Sequence, residues 1–88
     1  MPYITQKERD KVDDFLDVLS NKIHNCGQLN YAITRLCIDY INEDKCYQRI
    51  NDAVGVLSCS SQEIYRRIAS HYEDGKAIQN GDLNFKEI

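Results

Sequence analysis

The fold is decided by residues 46–72, CYQRINDAVGVLSCSSQEIYRRIASHY. Mostly apolar residues recur there at steps of three and four: Tyr47, Ile50, Val54, Leu57, Ser61, Ile64, Ile68 and Tyr72. We call these eight residues the stripe. Their spacing keeps one face of an α-helix turned towards a partner for about seven turns. A helix over this range would be roughly 40 Å long, at about 1.5 Å per residue.

Two shorter helices are predicted before the stripe. Thr5 and Glu8 have the spacing of a capping box, in which each side chain binds a free backbone amide at a helix start. The first helix then runs to residues 25–27, where Gly27 suits a left-handed stop. A second apolar face follows over residues 28–41. The sequence therefore predicts an all-α fold, a small bundle of three helices whose third helix is long.

Two features leave the extent of the third helix open. Residues 60–63, SSQE, could form a new capping box and break the helix, yet the stripe continues through them in phase, which favours one continuous helix. After Tyr72 the residues EDGK, 73–76, break the pattern, and Asn80-Gly81-Asp82 is a turn signal. We therefore predict a helical domain over residues 1–76 and a polar tail over residues 77–88.

The length of the chain predicts self-association. A domain of 88 residues buries only about two thirds of the surface that its unfolded chain exposes, so its stability is marginal. Two short helices leave part of a stripe this long uncovered within one chain. We therefore expect a homo-oligomer.

Composition excludes several classes of protein. The formal net charge is −3 with both signs interspersed, which argues against a duplex-DNA binder. Neither a membrane-spanning run nor a secretion signal is recognisable. The four cysteines form no Cys-x-x-Cys pair and are expected to be reduced thiols in the cytosol. His24 and Cys26 lack a second pair of ligands at a usual distance, so we expect neither a metal nor another cofactor.

Polar residues inside the helices are the first candidate site. Asn51, Asp52 and Gly55 fall within one turn, although helix interiors disfavour all three residue types. One interpretation is a ligand site. The other is a hydrogen bond between helices, from Asn30 or Tyr31 to Asp52.

The second candidate site follows along the same helix. Tyr65-Arg66-Arg67 is the one local cluster of cations, and arginine suits bidentate recognition of phosphate. The arginines could equally pair with Glu63 or Asp74. The aromatic and basic residues Tyr72 and Lys76 could close over a ligand or cap the helix.

Several segments resemble a family of small phage and prophage proteins of uncharacterised function. These segments are the opening MPYI, GQLNY at 27–31, IND at 50–52, GVL at 55–57, YRR at 65–67, YED at 72–74 and NGD at 80–82. Two departures concern the third helix: the family favours proline where this chain has His71, and a run without serine where it has Ser60-Ser61. The resemblance implies a phage or prophage origin and action in the host cytoplasm, and it supplies no activity.

These observations lead to a first hypothesis, a non-enzymatic anti-defence protein that sequesters a nucleotide signal. Arg66, Arg67 and Lys76 would meet phosphates; Tyr31, Tyr65 or Tyr72 would stack on a base; Asn51 and Asp52 would contact polar edges. A second hypothesis is an inhibitor that binds a host defence complex, for example a CRISPR effector, through the exposed part of the long third helix. A third is a structural or regulatory phage protein without a ligand. An enzyme comes last, because no nucleophile–base pair can be named.

Overall fold

Helices account for 81% of the computed structural model, which describes residues 2–84 and shows no strand in that range. Helix α1 runs over Gln6–Ser20 and helix α2 over Cys26–Glu43. Helix α3, Tyr47–Ile64, continues through a π-helical turn, Tyr65–Ala69, into helix α4, Ser70–Asn80. We call these last 34 residues the long helix. The predicted all-α class and the long third helix are confirmed.

The ends of the first two helices follow from side-chain caps. The Thr5 hydroxyl accepts a hydrogen bond from the Glu8 amide at 3.3 Å, as half of a capping box does. The Asn25 carboxamide accepts from the Gln28 amide at 2.8 Å, so α2 begins two residues before the predicted start. The prediction that Gly27 stops the first helix is wrong. Gly27 lies in the first turn of α2, because Asn25 is the stronger signal and caps a new helix there.

The long helix is continuous through residues 58–61, which confirms that prediction. The break predicted at residues 73–76 is wrong, since α4 passes through them and ends at Asn80. Gly81 follows with φ +89°, a conformation that glycine adopts at little cost. The helix thus enters the segment predicted as a polar tail, whose residues 85–88 lie outside the described part.

The π-helical turn explains how the stripe reaches Tyr72. Eight residues of regular α-helix would place Tyr72 about 80° around the axis from Ile64. In the π turn the Ser70 amide donates to the Tyr65 carbonyl, five residues back, which adds one residue to the turn. The extra residue reduces the offset to about 20°. Ile64 and Tyr72 therefore lie on the same face of the long helix.

The helices pack loosely within the chain. Ala53, at 6% exposed, is the one buried residue of the described range, and it lies in a groove between α2 and α3 lined by Leu36, Tyr40 and Val56. Leu16 and Leu19 of α1 line a second groove with α2. No Cα atom of α1, and none of α4, comes within 8 Å of another α-helix in the described chain. The radius of gyration is 17.5 Å, against about 12 Å for a compact domain of this length.

Candidate functional site on the long helix

The predicted site residues fall into separate groups. Asp52 and Arg66 are 14 positions apart on one helix, which is about 21 Å along its axis. Asn51 and Lys76 are farther apart still, at about 37 Å. Tyr31 lies on α2 and is 67% exposed. A single chain therefore does not gather the eight predicted residues into one pocket.

Asp52 connects α2 and α3, which approach each other in the structure. Its carboxylate accepts from the Tyr40 hydroxyl of α2 at 3.4 Å and from the Gln48 carboxamide at 2.8 Å. A hydrogen bond between helices was one of the two interpretations of this cluster, but the expected partners Asn30 and Tyr31 were wrong. Asn30 instead accepts from Thr34 at 3.1 Å. The hydroxyl of Tyr31 lies beside Arg35 and, together with Asp39, raises the pKa of that guanidinium.

Arg49 strengthens the same junction and was not singled out in the sequence. Its guanidinium donates to the Tyr40 carbonyl at 2.8 Å and lies 4.2 Å from the centre of the Tyr40 ring. A cation over an aromatic ring is attracted by the electrons of the ring face. With Asp52, this contact fixes the end of α2 against α3. Of the first candidate cluster, Asp52 thus contributes a contact between α2 and α3.

The Arg66–Arg67 pair meets the amino-terminal segment of the chain. Arg66 donates to the Glu63 carboxylate at 2.5 Å, as one interpretation of the sequence expected. Tyr3 donates from its hydroxyl to Glu63 and accepts from Arg67 at 3.3 Å. The hydrogen bond from Arg66, followed by the one from Tyr3, lowers the pKa of the Glu63 carboxyl. We call these four residues the arginine cluster.

The role of Tyr3 was missed in the sequence analysis. It is 60 positions from Glu63, and no periodicity links residues in different elements at such a separation. Next to it, Pro2 lines a small groove together with Val56, Cys59 and Ser60 of α3. The opening residues therefore lie along the long helix, beside the cations predicted to bind phosphate.

The two tyrosines of the second candidate site lie on different sides of the helix. The Tyr65 hydroxyl donates to the Glu73 carboxylate at 3.5 Å, eight residues on, because the π turn brings these positions into line. Tyr72 is turned about 120° away from Tyr65 by the same geometry. Lys76 lies 5.6 Å from the centre of the Tyr72 ring. The structure thus forms a Tyr72–Lys76 pair and places Tyr65 elsewhere.

Side chains that could bind a metal ion do not cluster in the part of the chain that the structure describes. The described residues contain no group of three or more His, Cys, Asp and Glu side chains placed to hold an ion. No helix in residues 2–84 is both long and apolar enough to cross a membrane.

The architecture defines a small all-helical protein with an elongated third helix and cations along its second half. Residues 1–83 match the family described as Domain of unknown function (DUF6899), and the chain belongs to that family. Neither the curated proteins nor the solved structures contain a match to this chain.

Proposed function

We propose that this is a non-enzymatic phage or prophage accessory protein that binds a phosphate-bearing nucleotide in the host cytoplasm. The π-helical turn at Tyr65–Ala69 is the observation that carries the proposal. Such turns are rare and occur frequently at functional sites. Here the turn contains Tyr65, Arg66 and Arg67, the aromatic and cationic residues that nucleotide recognition uses.

The chemistry of the arginine cluster supports an anionic ligand. Arg66 and Arg67 follow each other in the chain, and two of their partners, Glu63 and Tyr3, present oxygen atoms to them. Phosphate oxygens would take the same hydrogen bonds from the guanidinium groups. The side chain of Arg66 is 63% exposed, so a ligand reaches it without unfolding of the helix. Within the arginine cluster, Glu63 and Arg66 form an ion pair, an arrangement that suits the binding of a charged ligand.

Calorimetry against a panel of cyclic and linear nucleotides tests the proposal. Arg66→Ala and Arg67→Ala should each weaken binding by about tenfold or more, since charge-assisted hydrogen bonds are strong. Arg9→Ala removes the same charge from α1 and should change the affinity far less. Glu63→Gln should strengthen binding, because Glu63 competes with phosphate for Arg66. The proposal fails when no nucleotide binds, or when both arginines can be removed without loss of affinity.

Self-association is part of the proposal. The chain exposes 8162 Å², whereas a compact protein of 10.2 kDa exposes about 5,300 Å². Large apolar side chains such as Phe15, Tyr47 and Ile68 contribute to this excess. Light scattering at micromolar concentration should give a multiple of 10.2 kDa. A mass of one chain would contradict a homo-oligomer.

A second candidate function is inhibition of a host defence complex through a protein surface. The observation that favours it is the exposure of Phe15 at 76% and Val18 at 62%, three residues apart on α1. Large exposed apolar groups are typical of protein-binding surfaces. Inhibition of a purified CRISPR effector that is lost in Phe15→Glu and kept in Arg66→Ala would support this function over nucleotide binding.

A further inference from the structure

We infer that the stripe is the surface on which a second copy of this chain packs, long helix against long helix. The inference rests on the proposed self-association and names the surface that carries it. The stripe runs without a charged residue from Tyr47 to Tyr72, over most of the long helix.

The stripe is in solvent along its whole length in the single chain. Ile50 and Leu57 next to α2 are 41% and 42% exposed, and Ile68 and Tyr72 farther along are both 66% exposed. Helix α2 packs on α3 at the groove that contains Ala53, beside the stripe, and α1 approaches only α2, at the groove that contains Leu16. The exposed face is therefore continuous across α3, the π turn and α4.

The second half of the long helix requires a partner. Helix α4 has 11 residues and approaches no other α-helix of the described chain. Most of the stability of a helix in a protein comes from the packing of its apolar face, and this part of the long helix has no such packing within residues 2–84. The π turn keeps Tyr72 on that face, which extends the packing surface past Ile68.

A second copy fits this surface better than a small ligand. Steps of three and four over seven turns are the spacing of a coiled-coil seam, and an identical helix presents the same spacing and length. The excess exposed surface is about 2,800 Å² per chain. Part of this excess is enough for a standard interface, which buries about 800 Å² on each partner. A nucleotide covers only a few hundred Å², so it would leave most of the stripe in water.

Two isoleucines of the long helix provide a matched test. Ile68 lies on the stripe, and Ile78 lies off it, about 120° around the helix from Tyr72. Both are exposed in the single chain, at 66% and 87%, so aspartate at either position leaves intrachain packing intact. Light scattering should show that Ile68→Asp is monomeric, with reduced helicity by circular dichroism. Ile78→Asp should keep the wild-type mass and helicity.

Two serines provide a test that does not depend on a disruptive change. Ser61 lies on the stripe and Ser60 lies about 100° away from it. Ser61→Leu should fill the polar gap in the seam and lower the dissociation constant of the oligomer about tenfold, and Ser60→Leu should leave it unchanged. This pair decides the matter if Ile68→Asp fails to fold.

The possible outcomes distinguish the assignment of the stripe as the interface from the proposal that the chain self-associates. If the wild-type protein has a mass of 10.2 kDa at all concentrations, both the proposed self-association and the assignment of the stripe are overturned. A wild-type oligomer that survives Ile68→Asp and is unaffected by Ser61→Leu overturns only the assignment of the stripe. Dissociation by Ile68→Asp alone, or tighter association in Ser61→Leu alone, supports it.

Discussion

The two halves of the long helix share one pattern of apolar residues but have different surroundings. The first half, Tyr47–Ile64, packs against α2 and contains the buried Ala53. The second half, Tyr65–Asn80, approaches no other α-helix in residues 2–84 and meets the rest of the chain through Tyr3. The stripe continues through both halves. Its spacing therefore predicts the helix, and the position of the neighbouring helices decides which part is packed within one chain.

The polar contacts differ in the same way. In the first half, Asp52 and Arg49 reach across to Tyr40, so their contacts hold two helices together. In the second half, Tyr65 and Lys76 contact other residues of the same helix. Contacts within one helix leave its outer surface available for binding. The second half is thus the region that we assign to ligand recognition.

The largest expected effect is a difference in stability between aspartate substitutions in the first half and in the second half of the long helix. Ala53→Asp should destabilise the protein by several kcal/mol or prevent folding, because it places an unpaired carboxylate between α2 and α3. Ala77→Asp introduces the same group into α4 and should cost less than about 1 kcal/mol, because helix propensity is the main term there. Urea unfolding measures both. Equal losses would contradict the assignment of Ala53 as the packed residue.

Two glycines test whether the space around each half is open. An added Cβ at Gly55 or Gly75 would meet no atom of the described residues within 4 Å. Replacement by alanine in a helix interior should then stabilise each half by about 0.5–1 kcal/mol, as a shift in thermal unfolding. If Gly55→Ala instead destabilises the protein while Gly75→Ala stabilises it, another chain or a ligand approaches the backbone at Gly55.

The smallest expected effect is a pH dependence where Tyr3 meets the long helix. The pKa of Glu63 is lowered by Arg66 and, to a smaller extent, by Tyr3. The contact of Tyr3 with Glu63 is therefore fully formed above the ordinary glutamic acid pKa of about 4.3. It should be lost as the pH falls through the lowered value, because protonation removes the acceptor charge. Carboxyl chemical shifts from NMR should show a depressed Glu63 pKa in the wild type. In Tyr3→Phe the depression should be smaller, and an unchanged titration would show that Tyr3 does not bind Glu63.

The sequence predicted much of the fold because local rules govern it. The phase of the stripe through Ser61 indicated one continuous helix, and Thr5 marked the start of the first. The errors in the predicted helix ends arose from the interpretation of two glycine residues. Gly27 and Gly75 were interpreted as ends, but glycine lowers helix stability by only about 1 kcal/mol relative to alanine, and capping or flanking turns outweigh that cost. Gly81, which has a positive φ, is where the helix ends.

The candidate site was predicted less completely. The pairing of Arg66 with Glu63 follows from a spacing of three residues on one helix, so the sequence indicated it. Neither the contact of Tyr3 with the arginine cluster nor that of Tyr40 with Asp52 could be predicted, since both join different elements. The π turn was also missed. Its sequence fits a regular helix as well, and the step of four residues from Ile64 to Ile68 and again to Tyr72 was the only sign of an extra residue.

The sequence by itself determined the helical class and the length of the uninterrupted apolar face. It also determined that Arg66 and Arg67 lie in one short segment. These depend on interactions between residues a few positions apart, which periodicity and capping describe. The tertiary structure alone decided that Tyr3 reaches Glu63, that Asp52 binds Tyr40, and that the second half of the long helix has no helical neighbour within residues 2–84. The reason is physical: the packing of helices depends on loop geometry and on which surfaces meet, and neither is encoded in the spacing within one helix.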